Sequence, residues 1–424
     1  MSSKTLIRGG CVLTLGPRTP NFANADVLID EGKVVEVAPG LRARDAEVID
    51  ATDTIVMPGF VDTHRHVWKS LFRNYGDGGQ ESAGPGTWGR HYQPEDVYAA
   101  TLIGLLGAIE AGITTVVDWA DLQFDKRWTD ATLQAHADAG VRTVLVYAPL
   151  PGDAPDDDLK AALGRLGPAP RTVAYGSTDP FTAEGVTGNW GLARELGLRI
   201  HSHTGPNPGM VSALGGLLGA DVTLIHCFNL DEGDLHAVSS RGVSVALSPS
   251  AEMASGSGPP PIQKLLDRNI RPGLGIDNEQ IAPGDMFAQM RTAISLQHAS
   301  YFDLKLAGKA GLPNLLTTRD VIRYATVDGA KVAGLGGLTG SLEPGKQADL
   351  VVLRADRPNI APINDPIGAV VWGMDTSNVD WVFVNGRALM RNGVVEGDVQ
   401  GARKLAVEAQ RRVATAAGQM AAAG

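Results

Sequence analysis

The sequence predicts an α/β fold: a (β/α)8 TIM barrel with a small β-sandwich domain formed by both chain ends. Three observations predict it. Between Phe60 and Asp277, eight short strand-like runs alternate with amphipathic helices, the rhythm of a barrel built from about 220 residues. Strand-rich segments without that rhythm lie on either side, in residues 1–57 and 341–397. Histidine or aspartate ends four of the eight runs, and strand ends are where a barrel gathers its active site.

Composition sets the frame. The chain has 424 residues, 43% of them hydrophobic and 20% charged, ordinary values for a globular protein with a sizeable core. A formal charge of −10 argues against a nucleic-acid or anionic-membrane partner, since such proteins carry a basic face. The first residues, Met1 to Arg8, lack the apolar core of a signal peptide, and no apolar run reaches the 18 or so residues of a membrane span. Cys11 and Cys227 are the only cysteines, and their apolar surroundings read as buried thiols rather than a disulfide. The expected location is the cytoplasm, and the expected partner is a small molecule.

In chain order, residues 1–57 read as short strands, with turns at Arg8-Gly9-Gly10 and Asp30-Glu31-Gly32. Barrel strands follow at Phe60–His66, Ile113–Asp118, Arg142–Tyr147, Thr172–Gly176, Arg199–His203, Val222–Cys227, Val243–Ser248 and Pro272–Asp277. Helices lie between them, as at Pro94–Ala111 and Ala183–Leu196, and two more are expected near Asp285–Gln297 and Thr318–Ala333. The barrel is assigned residues 58–340. Strand character returns at Asp349–Leu353, Ala369–Trp372 and Trp381–Val384, with Asn385-Gly386 as a hairpin turn, and completes the β domain over 341–397. The alanine-rich tail, 398–424, reads as a terminal helix. No Gly-x-Gly-x-x-Gly follows the first barrel strand, so nucleotide binding on an open sheet has no support.

The chemistry concentrates at strand ends. Alternation puts His64 and His66 on one face of the first strand and Arg65 on the other, and two imidazoles so placed are half a metal site. The fifth strand ends in His201-Ser202-His203, the sixth in His226 and the eighth in Asp277. His136, His236 and His298 fall on predicted helices and are expected at the surface. The loop over Phe72–Gln93 carries Trp88 and His91, which can clamp a planar or anionic substrate at the pocket mouth, and Trp119, just past the end of the second strand, can line the same pocket.

Met57-Pro58-Gly59-Phe60-Val61-Asp62-Thr63-His64-Arg65-His66 resembles the amidohydrolase superfamily. So does the downstream run from Gly340-Ser341-Leu342-Glu343-Pro344-Gly345 to Leu353. The resemblance covers nearly the whole chain, and within the superfamily it is to the branch of cytosine, guanine and S-adenosylhomocysteine deaminases and triazine hydrolases. It implies one divalent metal ion held by His64, His66, His203 and Asp277. Asp277 would also take a proton from water, and His226 would stabilise charge on the substrate. His201 and Asn278 would lie beside the substrate. Two-metal relatives carry a bridging lysine on the fourth strand. The third and fourth strands here contain no lysine or glutamate, so one ion is expected, zinc first and iron as the alternative. A homo-oligomer, a dimer by resemblance, is expected.

One departure matters. Deaminases of this branch have a glutamate three residues after the fifth-strand histidine, which carries a proton to the ring. Here that position is Pro206. Glu252, after the seventh strand, is the substitute acid, with Glu279 and Asp179 behind it. The implied function is a metal-dependent hydrolase that cleaves a non-peptide C–N bond of a small heterocycle. Hydrolytic dehalogenation, a lyase or an isomerase on the same site is the alternative, and a barrel that has lost catalysis and only binds is a third reading.

Overall fold

A computed structural model describes residues 4–75, 87–149, 156–165, 171–256 and 258–418. The chain divides into two compact units. One comprises Met1–Asp62, Ala108–Thr115 and Asp285–Glu396; the other comprises Thr63–Gly107, Val116–Gly284 and Gly397–Gly424.

The first unit holds a nine-stranded mixed sheet made from both chain ends. Thr54–Pro58 runs antiparallel to Leu350–Arg354, with Val56 opposite Val352, and that pair joins the two halves. On one side the order continues through Thr5–Val12, Phe22–Asp30 and Lys33–Ala38, and on the other through Val379–Val384, Arg387–Arg391 and Val394–Val395. Alternating apolar positions, among them Ile7, Val27, Ile29, Val56, Val352 and Phe383, bury a common core. Each such side chain contributes roughly 1.5–3 kcal/mol relative to exposure. The two-residue turns at Glu31-Gly32 and Asn385-Gly386 both have positive φ throughout, as the twist of a tight hairpin requires.

Two readings of this unit need correction. Arg8-Gly9-Gly10 is not a hairpin turn, because one strand runs through Thr5–Val12 and its register slips between Ile7 and Gly10. The glycines form a bulge, and the freed Gly9 N–H donates to Asp26 Oδ1 at 2.8 Å. Ala369–Trp372 is not a strand but a helical turn, Ala369–Gly373. Asp365 caps the turn before it, and Pro366 opens that turn, so the short apolar run is drawn into helix.

The eight-stranded sheet has the order expected of a barrel, each strand beside the next in sequence. Its strands are Phe60–Arg65, Ile113–Ala120, Arg142–Tyr147, Arg171–Ser177, Ile200–His203, Val222–Ile225, Ser244–Leu247 and Gly273–Leu274. The last three are shorter than the sequence implies. In the second unit, the terminal helix Val399–Ala416 turns Ala402, Ala406, Ala409 and Val413 inward, spaced along one helical face. They pack with Trp68, Trp88, Tyr92 and Trp128, bracing the segment that follows His66. No helix among the described residues is long and apolar enough to cross a membrane.

Candidate metal centre and active site

Four barrel strands bring their ends together. His64 lies in the first strand and His66 directly after it, with both rings buried. Asp277 Oδ1 stands 3.6 Å from Nε2 of His64 and 3.6 Å from Nε2 of His66. Ligands about 2.1 Å from a tetrahedral ion stand about 3.4 Å apart, so these atoms already have the edge lengths of a coordination shell. His64, His203 and His226 form a second trio, and within each trio the ligand atoms lie within 4.8 Å of one another. The His203 ring is 4.9 Å from that of His64 and 5.9 Å from that of His66.

The donors are in metal-binding form. Burial drives His64 down to about 3 and His203 well below the usual imidazole range, so both carry a free-base nitrogen. Burial alone would raise Asp277, but its hydrogen bond with His64 and the surrounding imidazoles reverse this and keep it ionised. Neutral imidazoles with one carboxylate suit a divalent transition-metal ion.

The backbone is bent to achieve this. His226 has φ 66° and Asp277 φ 65°, left-handed conformations that cost a residue other than glycine about 1–3 kcal/mol. The bend at His226 ends the sixth strand at Ile225, one residue before it, while the eighth strand ends at Leu274, ahead of the bend at Asp277.

His226 sits between two carboxylates. Its Nδ1 is 2.9 Å from Glu252 Oε1, and its Nε2 is 4.0 Å from Asp277 Oδ2. Glu252 is buried, and the same oxygen accepts the Ser248 N–H at 2.8 Å. Burial would lower His226, but the Glu252 hydrogen bond and the nearby carboxylates outweigh it and raise the imidazole. Burial raises Glu252 as well, so the pair holds on to its proton.

The remaining candidates divide. Trp119 is buried, with its ring 4.4 Å from His203 and 5.8 Å from His64. His201 is buried beneath the cluster and pushed down to about 3 by burial, then by Arg199 and His64. Asn278 is buried and turns its Oδ1 back to accept the Gln280 N–H at 3.2 Å. Trp88 packs on Phe72 and Tyr75, with centroids 4.0 and 4.7 Å apart, as part of an apolar core. His91, partly exposed, ends the turn Gly89–His91 and accepts from Arg90 at 3.3 Å. Residues 76–86 of the loop expected to carry the clamp lie outside the described residues. Asp179 is engaged by Tyr175, Ser177 and Asn189.

Two expectations fail here. His136 is not at the surface: it is buried, with Nε2 2.8 Å from Asp118 Oδ2, because its face of the helix Lys126–Ala139 points inward. Cys11 is partly exposed, whereas Cys227 is buried.

Sequence reasoning missed Asp121 and Phe228. Asp121 Oδ2 is 3.2 Å from His66 Nδ1, and its other oxygen accepts from Trp68 Nε1. The signal was available, since Asp121 directly follows the second strand on the catalytic face. Phe228 stacks on His226 at 5.3 Å and 19°, two residues past the histidine. A carboxylate on the far nitrogen of a ligating histidine fixes its tautomer and orientation. Asp121→Asn is therefore expected to weaken metal binding by about 10–100-fold in chelator competition. Unchanged affinity would show that His66 is held by packing alone.

Residues 55–389 match the model of the amidohydrolase family. The chain is 30% identical to a 5'-deoxyadenosine deaminase of Methanosarcina mazei, over 91% of this chain and 93% of that one. It is 29% identical to a 5-methylthioadenosine/S-adenosylhomocysteine deaminase of Pelotomaculum thermopropionicum, over 96% and 97% of the two chains. Among solved structures, an atrazine chlorohydrolase variant of Arthrobacter aurescens TC1 with zinc and atraton superposes with a TM-score of 0.84, at 22% identity over 96% of this chain and all of that one. An adenosine deaminase of Xanthomonas campestris with bound zinc gives 0.78, at 22% identity over 97% and 98%. The chain belongs to the amidohydrolase family, as a metal-dependent hydrolase of carbon–nitrogen bonds other than peptide bonds.

Proposed function

We propose that the protein uses zinc, held by His64, His66, His203 and Asp277, to hydrolyse a C–N bond at an electrophilic ring carbon of a small heterocycle. The observation that carries this reading is Asp277 Oδ1 equidistant from the His64 and His66 nitrogens. A bound divalent ion supplies Lewis acidity that brings the pKa of water toward 7. Asp277 accepts the water's proton at a carboxylate oxygen. His226, its Nδ1 fixed by Glu252, presents Nε2 to the substrate and steadies the charge that builds there. Glu252 lies behind His226 rather than against the substrate, so it acts through the imidazole. Trp119 forms the flat wall against which a planar ring rests. The family resemblance supports a cytoplasmic homodimer.

Pro206 favours a second reading, in which the leaving group departs without a proton delivered to the ring, as halide does. The purified, metal-loaded enzyme should be incubated with amino-, alkylamino- and chloro-substituted purines, pyrimidines and triazines. Release of ammonia or amine is expected. Halide alone would move the assignment to dehalogenation, and no product from any of them at full metal load would overturn the hydrolase reading for this substrate class.

Glu252→Gln provides a sharper check on the roles. It is expected to lower kcat at least about tenfold with metal content unchanged, because proton transfer assistance is worth about 10²–10⁴. A wild-type rate would remove Glu252 from the mechanism.

A further inference from the structure

The barrel is held shut weakly at one place. Its strand order runs from first to eighth, and the eighth strand is only two residues long. Between the eighth segment and the first, the described ladder is one bridge, Arg65 to Asp277. It consists of Asp277 N–H to His64 O at 2.9 Å and His66 N–H to Asp277 O at 2.7 Å. The backbones come close here because residue 275 is glycine; a Cβ there would lie 2.8 Å from His64 O. This seam is also the metal centre, with His64 and His66 on one side and Asp277 on the other.

Behind the seam lies a buried charge cluster. Arg65 faces away from the two histidines it separates and is fully buried, so its guanidinium needs a counter-charge. Glu279, two residues past Asp277, provides it at 2.8 Å. The same carboxylate takes Arg73 Nε at 2.9 Å and the Ser70 hydroxyl at 2.5 Å, and the Glu279 carbonyl accepts the Asn74 N–H at 3.1 Å. A Cβ on Gly284 would lie 2.4 Å from Glu279 Oε1, so main chain closes over the carboxylate. Glu279 thus grips the first arm at residues 65, 70, 73 and 74, while carrying Asp277 on its own segment.

We propose that Glu279 is a positioning residue that sets the gap between the two ligand-bearing arms, holding Asp277 in register with His64 and His66 for the metal. The proposal rests on the metal reading above. Both 3.6 Å separations across the seam depend on where Asp277 sits, and this cluster ties the two arms together behind the ligands.

The test replaces the metal with cobalt(II), whose visible bands report the ligand geometry. Apoprotein prepared with a chelator is titrated with cobalt for the wild type, Glu279→Gln and Arg73→Gln. Glu279→Gln is expected to weaken cobalt binding by about tenfold or more and to alter the visible band, with far-ultraviolet circular dichroism unchanged. Arg73 is partly exposed, and Arg73→Gln is expected to keep the fold and to shift affinity and spectrum the same way by a smaller amount. Wild-type affinity and an unaltered band in folded Glu279→Gln would overturn the proposal. If that variant does not fold, the same result in Arg73→Gln would overturn it. A wild type that binds no cobalt would instead defeat the metal reading on which the proposal stands.

Discussion

Purified protein is expected to carry close to one transition-metal ion per chain, and His66→Ala to lose most of it. The His66 ring is buried, with Nε2 aimed at the Asp277 oxygen and Nδ1 at Asp121. Removing it takes away one of the four proposed ligands and leaves the Asp121 carboxylate buried without that partner. Losing an outer partner of a ligand costs about 10–100-fold in affinity, so losing the ligand itself should exceed that range. The change should leave the fold intact, because the first strand's ladder, the His66 N–H to Asp277 O bond included, is made by backbone that alanine keeps. Metal analysis by mass spectrometry after gel filtration reads the result. A full load in His66→Ala would show that the ion is held elsewhere, and two ions per chain in the wild type would defeat the single-site assignment.

How much of this was legible beforehand depended on the kind of signal. Strands that alternate or run apolar were found to within a residue or two, as with Arg142–Tyr147, because burial leaves a periodic trace. His64, His66, His203, His226 and Asp277 were legible because a barrel sends every strand end to one face, so chemistry-bearing residues at strand ends must converge. The relation between Glu252 and His226 was not. They are separated by 26 residues, and only the φ of 66° at His226 swings its Nδ1 onto that carboxylate. Asp121 follows the second strand on the catalytic face, but its pairing with the far nitrogen of His66 on the first strand is a contact that only the fold creates. His136 was misplaced for a related reason: a polar residue on a helix reads as solvent-facing, yet the Asp118 carboxylate opposite makes its burial affordable. The short run Val370-Val371-Trp372 shows the limit of local pattern, since an apolar run of that length fits strand and helix equally well until its capping residues are weighed.

Asp277→Asn is expected to produce the largest loss of turnover of any single change. The side chain keeps its shape, and an amide oxygen remains toward His64 and His66, so enough metal can be restored by excess zinc to test the chemistry apart from occupancy. What disappears is the negative charge and the ability to accept a proton. In the proposed reaction, Asp277 is the carboxylate that faces Nε2 of both His64 and His66, whereas Asp121 lies against the far nitrogen of His66. His226, 4.0 Å from Asp277 Oδ2 and raised by its Glu252 hydrogen bond, is the next group in line. General-base assistance is worth about 10²–10⁴ in rate, and the lost ligand charge adds to it. The expected result at full zinc load is therefore a kcat at least about a hundredfold below wild type with little change in KM, the pattern of an interaction made in the transition state. Glu252→Gln measured beside it should fall less, because that residue acts on the substrate only through His226. If zinc-loaded Asp277→Asn instead turned over within tenfold of wild type, Asp277 would be a ligand only, and the proton acceptor would have to be sought at His226.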